Sequence, residues 1–126
     1  MPATLTYKVS KDYLDMRISA TGEPGVEIAE SQKIWHTMAE SCKKEKRSRI
    51  LAVIDMNRRM PIGLSYDIAR QANACGWSRE YKLALVVKED HRSVFNLIQS
   101  FLLHLGYEVA LFERSRPARK WLLEDT

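Results

Sequence analysis

The chain has little of what most chemistry-bearing families require. It holds two cysteines, Cys42 and Cys75, in no CxxC pair, and no histidine lies near either at metal-ligand spacing. That excludes a disulfide framework and the usual zinc patterns, and it fits reduced, buried or half-buried thiols in a cytoplasmic protein. Neither the P-loop nor the dinucleotide-binding glycine pattern occurs among its five glycines. No apolar run approaches the roughly 20 residues of a membrane-spanning helix. Met1-Pro2-Ala3-Thr4 lacks the charged and apolar regions of a signal peptide. The three histidines, His36, His91 and His104, enter no Ser-His-Asp or Cys-His arrangement with a physical reason for its geometry, and His36 and His104 read as helix-surface or boundary residues. A non-catalytic protein without metal or cofactor is expected.

What is present is an alternation of strand and helix signals over 126 residues, enough for one core and too few for two, so residues 1–126 read as a single domain. Hydrophobic residues make up 45% and charged residues 29%, the balance of a soluble globular chain. Leu5, Tyr7 and Val9 alternate with polar neighbours in a first strand from Thr4 to Ser10. Lys11-Asp12 turns the chain into a second strand from Tyr13 to Ser19, which predicts an antiparallel hairpin. After the break at Gly22-Glu23-Pro24-Gly25, a helix runs from about Glu27 to near Lys46. Ile28, Ser31, Trp35, Met38 and Cys42 fall on one face of it, widened by Ile34 and Ala39.

Three continuous apolar runs follow, Ile50–Ile54, Leu83–Val87 and Glu108–Phe112. Runs of this kind suit strands covered on both faces, as in parallel sheets. Helical patterns separate them. Leu64, Ile68, Ala72 and Cys75 form one stripe, with Pro61 just before it and Gly76 closing it. Val94, Ile98, Phe101, Leu102 and Leu105 form the next, closed by Gly106. Ser115 is placed to cap a last short helix in which Ala118, Trp121 and Leu122 face inward. The order is β-β-α-β-α-β-α-β-α. The predicted fold is α/β, a single mixed sheet opened by an antiparallel hairpin, continued by parallel strands and flanked by helices.

That order at this length resembles the STAS superfamily, and more closely its SpoIIAA-like branch of anti-sigma-factor antagonist-like domains. The most specific match is Gly106-Tyr107-Glu108-Val109-Ala110-Leu111-Phe112 followed by Ala118-Arg119-Lys120-Trp121-Leu122, a final strand ending in Phe and a short helix with an Ala-x-x-Trp-Leu face. The resemblance implies a non-catalytic regulatory or protein-interaction module. It also implies a serine phosphoacceptor after a central strand in an Asp-x-Ser setting. The matching segment here reads Asp55-Met56-Asn57, which lacks that hydroxyl; Ser65 comes about two turns later. Other members of the superfamily are associated with transporter tails and with small-molecule or lipid sensing. A phosphoacceptor receiver domain is disfavoured, because Ser10-Lys11-Asp12 supplies no acidic pair to hold magnesium and the opening hairpin is foreign to that fold.

The formal net charge is +4. Lys43, Lys44, Lys46, Arg47 and Arg49 cluster at a helix end, where cations interact favourably with the dipole, so nucleic acid is not the expected partner. Ligands of α/β sheets bind beyond the carboxyl ends of the parallel strands. That edge gathers Asp55, Asn57, Arg58, Arg59, Lys88, His91 and Arg92, and a helix opening at Met60-Pro61-Ile62-Gly63 would add free N–H groups. One functional reading is therefore a small anionic or lipid ligand, held in an apolar pocket with a basic mouth at Arg58 and Arg59. The contrasting reading is that these are solvated loop charges paired with Asp55, Glu89 and Asp90. The other functional reading is a protein interface, to a partner or a second copy of the chain, using Trp77, Phe95, Phe101 and Leu102. Exposed tryptophan is a typical interface anchor, although the favoured reading of Trp77 is that it covers the end of its helix.

Overall fold

Six strand residues and six more pair antiparallel at the start of the chain: β1 (Thr4–Val9) lies against β2 (Leu14–Ala20), with Leu5 opposite Ile18 and Tyr7 opposite Met16. The computed structural model describes residues 3–21, 23–56 and 58–124. The Ser10 N–H donates to the Tyr13 carbonyl at 2.9 Å, which leaves Lys11 and Asp12 as the two turn residues the sequence pattern predicts. β3 (Arg49–Met56), β4 (Lys82–Val86) and β5 (Glu108–Phe112) then add in sequence order and parallel, giving one five-stranded mixed sheet. The expected α/β class and topology are those observed.

Three helices, α1 (Glu27–Glu45), α2 (Ser65–Ala74) and α3 (Arg92–His104), connect the parallel strands. They pack side by side on one face of the sheet, α1 on α2 and α2 on α3. Residues of one parity on each strand point to them, including Met16, Ile18, Ile50, Ala52, Leu83, Leu85 and Val109, and form the main core. α4 (Ser115–Leu123) crosses to the opposite face, where Ala118 and Leu122 close a smaller core with Leu51, Ala84 and Val86. β4 is accordingly buried along its whole length, as its unbroken apolar run requires.

The helix ends follow from backbone chemistry. Gly76 (φ 72°) and Gly106 (φ 95°) take the left-handed conformation that ends α2 and α3, which glycine reaches without steric cost. α1 ends on Lys46 at φ 57°, and the Arg47 N–H reaches back to the Cys42 carbonyl at 3.0 Å. Two expected helix starts are corrected. A single 3-10 turn, Ile62–Leu64, intervenes, so α2 opens at Ser65 and not at Met60–Gly63. Ser115 is the first residue of α4 and makes no capping bond; Arg114, in extended conformation, precedes it.

Both thiols are free, Cys42 buried and Cys75 half-buried. Burial pushes the Cys42 thiol up to about 12, so its nucleophilic thiolate is suppressed throughout the neutral range. Iodoacetamide at pH 8 should therefore modify Cys75 in the folded protein and leave Cys42 intact until denaturant is added. Peptide mass mapping of the two cysteines checks this, and equal labelling of both in the native state would contradict the packing of α1.

Candidate functional site

The edge beyond the carboxyl ends of β3 and β4 carries the charges anticipated there, and three of its four cations face a carboxylate. Lys88 Nζ lies 3.5 Å from Asp55 Oδ1, Arg59 Nη2 3.9 Å from Asp90 Oδ1, and Arg92 Nη1 3.2 Å from Glu113 Oε1. Arg58 is exposed, and Asn57 lies outside the described residues. Exposed pairs of this kind contribute about 0–1 kcal/mol each. The N–H groups expected to receive an anion are partly engaged: Leu64 N–H donates to the Pro61 carbonyl at 3.1 Å, and the Ser65 N–H to the Ile62 carbonyl. His91, placed on this edge by the sequence, is instead folded inward at 7% exposure, with Nδ1 buried and without a hydrogen-bond partner.

Three of the four residues offered as an interface are interior. Trp77 is 3% exposed and sits in an aromatic cluster, its ring centroid 5.0 Å from that of Trp35 and 5.2 Å from that of Tyr81. Its indole N–H donates to the Trp35 carbonyl at 3.1 Å. The positive φ of Gly76 turns the chain back so that the following residue drops onto the core instead of into solvent. Phe95 at 6% and Leu102 at 1% exposure lie on the inner face of α3. Phe101 is half-buried against Tyr66 of α2, edge to face at 5.1 Å. With exposed Ile62 and Leu97 four residues before each of these two rings, that pair is the apolar feature left on the outer helical surface among the residues discussed.

The geometry with room for chemistry lies one layer in, on the helix side of the same edge. A cavity of about 70 Å³ opens between α1 and the strand ends. Ile18, Ala20, Ile54, Met56 and Leu85 form its floor; Ile34, Trp35 and Met38 of α1 form its roof. Ile68 of α2, Phe95 and Ile98 of α3 and the loop residue Met60 close its sides. The basic mouth is not observed: among the described residues the ionisable side chains lining this cavity are Glu27 and Glu30, joined by Ser31, and neither Arg58 nor Arg59 lines it.

Those three polar residues occupy the first turns of α1, and local chemistry explains two of them. Carboxylates are favoured at a helix N-terminus. Glu27 Oε1 accepts the Gly25 N–H at 2.7 Å, while Glu30 Oε2 accepts the Thr21 N–H at 3.2 Å and the Thr21 hydroxyl at 2.9 Å. The pair thus fixes the segment leading into the helix. Ser31 has no such role. Thr37 and Ser41 of the same helix donate to the carbonyls of Lys33 and Thr37, four residues back, at 2.7 and 2.8 Å. The Ser31 hydroxyl, 7% exposed as a residue, has no partner. The sequence carried a signal for this: Ser31 falls on the apolar face of α1 in line with Trp35, Met38 and Cys42.

No protein-family model matches the chain, and no curated protein sequence matches it. Among the described residues no helix is long and apolar enough to cross a membrane, and no group of three or more metal-ligating side chains converges.

Proposed function

We propose that the domain is a non-catalytic binding module that takes a small, largely apolar ligand into the cavity beneath α1. This is a ligand-responsive role within what the SpoIIAA-like resemblance implies. The observation that carries the reading is the carbon-lined cavity at the carboxyl ends of the parallel strands, the position at which α/β sheets bind ligands. The cavity wall is mostly carbon, so a ligand that enters it takes apolar surface out of water. The absence of the Asp-x-Ser hydroxyl at Asp55-Met56-Asn57 fits the same reading, because a module without that acceptor needs another input.

Cavity size sets the scale of the ligand. An engineered apolar cavity of about 150 Å³ holds benzene, so the enclosed part here accepts a shorter group, the remainder of the molecule lying in the mouth. Benzyl alcohol titrated into 15N-labelled protein should shift the amides of Ser31, Ile54 and Phe95. Ala20→Phe, which grows a side chain into the cavity from the end of β2, should abolish those shifts while keeping or raising the melting temperature. Shifts that persist in A20F, or that map to the Asp55–Lys88 edge, would remove the cavity from the function.

A further inference from the structure

We infer that the ligand of this cavity is a neutral or cationic amphiphile, an alcohol or amine on a short apolar body, and that Ser31 and the Glu27–Glu30 pair select it. The inference rests on the cavity reading above and assigns its ligand class. It reverses the charge expected from the basic residues of the edge.

The first ground is the sign of the lining. Among the described residues that line the cavity, Glu27 and Glu30 are the ionisable groups, and none is a lysine, arginine or histidine. Glu27 is buried, so solvent screens it poorly. A carboxylate or phosphate entering the cavity would be desolvated beside groups of its own sign, and the described residues that line it supply no cation in return. An ammonium or hydroxyl meets acceptors instead. An ionised carboxylate offers about four acceptor sites, and the Gly25 N–H takes one at Glu27.

The second ground is independent of charge. Ser31 Oγ is a buried polar atom without a partner, in a helix whose other hydroxyls at Thr37 and Ser41 are satisfied by their own backbone. A buried hydroxyl left unpaired is costly. A rotation about its one side-chain torsion brings it to whatever polar atom a bound molecule presents beside the wall, and a hydroxyl donates and accepts alike. Selection against molecules that lack a polar atom at that point follows, since they leave Ser31 unsatisfied.

The test uses 1-pentanol, pentylamine and pentanoate, which share a chain length and differ in the polar group, each titrated against the 15N-labelled protein. Pentanol and pentylamine should shift the Ser31, Ile54 and Phe95 amides, and pentanoate should bind at least about tenfold more weakly. Ser31→Ala, a substitution that favours the helix, should weaken pentanol several-fold without unfolding the domain. Glu30→Gln should narrow the gap between pentanoate and pentanol. Pentanoate binding as tightly as pentanol in the wild type, or pentanol binding S31A unchanged, overturns the ligand class and leaves the cavity reading standing. No shift at the cavity with any of the three overturns both.

Discussion

Replacing Trp77 with alanine should lower the free energy of unfolding by about 3–5 kcal/mol, the cost of deleting a large buried aromatic side chain. The side chain is 3% exposed and meets three rings edge to face, those of Trp35, Tyr81 and Tyr107. Such contacts add roughly 0.5–1.5 kcal/mol each beyond area burial. The variant also loses the hydrogen bond that the Trp77 indole N–H donates to the Trp35 carbonyl at 3.1 Å. Set against a total stability of about 5–15 kcal/mol for a domain, the loss brings W77A close to the folding threshold. Urea denaturation followed by circular dichroism measures it, with Trp77→Phe expected to recover most of the ring contribution and not the hydrogen bond. A midpoint unchanged in W77A would show the aromatic cluster to be dispensable, and would return Trp77 to consideration as a partner anchor.

The same residue shows where sequence reasoning reaches and where it stops. Strands read cleanly because Ile50–Ile54 and Leu83–Val87 are unbroken apolar runs, and burial on both faces leaves no alternation to confuse the pattern. Gly76 and Gly106 read cleanly because a helix end in left-handed conformation selects glycine. Trp77 was ambiguous because its neighbours Ser78, Arg79 and Glu80 are polar, and what buries it arrives from far along the chain: Trp35 and Tyr107. Phe95 and Leu102 failed as interface residues for a related reason. An apolar periodicity shows that a face exists without showing whether sheet, helix or solvent meets it.

The carboxyl edge of the sheet carries the basic residues the sequence places there, and most of them meet carboxylates. Arg58, Arg59, Lys88 and Arg92 are dense in the sequence, but each ion pair observed there uses a carboxylate from a different segment: Asp55, Asp90 or Glu113. The cavity that lies beside them is built from residues that a linear reading assigns to the core, contributed by three strands and three helices. Only the convergence of α1, α2 and α3 over strand ends with Ala20 at one corner leaves space. Glu27 and Glu30 then fall in its wall because a helix start attracts acidic residues for its own reasons.

A second large effect is expected at Lys82, whose role no local pattern announces. It opens β4, yet its side chain is almost fully buried at 5% exposure on the α4 side of the sheet. Its ammonium donates to the carbonyls of Trp121 and Glu124, both at 2.8 Å, at the end of α4, and lies 4.5 Å from the centroid of the Trp121 ring. A helix C-terminus presents unpaired carbonyls and partial negative charge, so one buried cation both satisfies the end of α4 and fixes it to the strand beneath. Lys82→Met keeps the aliphatic stem and removes the donors. Hydrogen bonds to charged groups are each worth about 1.5–3 kcal/mol; Glu124 is exposed and water can replace part of its share, so the net loss should be about 2–3 kcal/mol. The loss should be local. Hydrogen exchange should quicken first across Ser115–Leu123, while the amides of α1 and the cavity on the opposite face of the sheet keep their protection and K82M still binds benzyl alcohol. Uniform acceleration across the whole chain would mean that α4 and the main core unfold as one unit, whereas unchanged exchange in α4 would show that Ala118 and Leu122 hold it without Lys82.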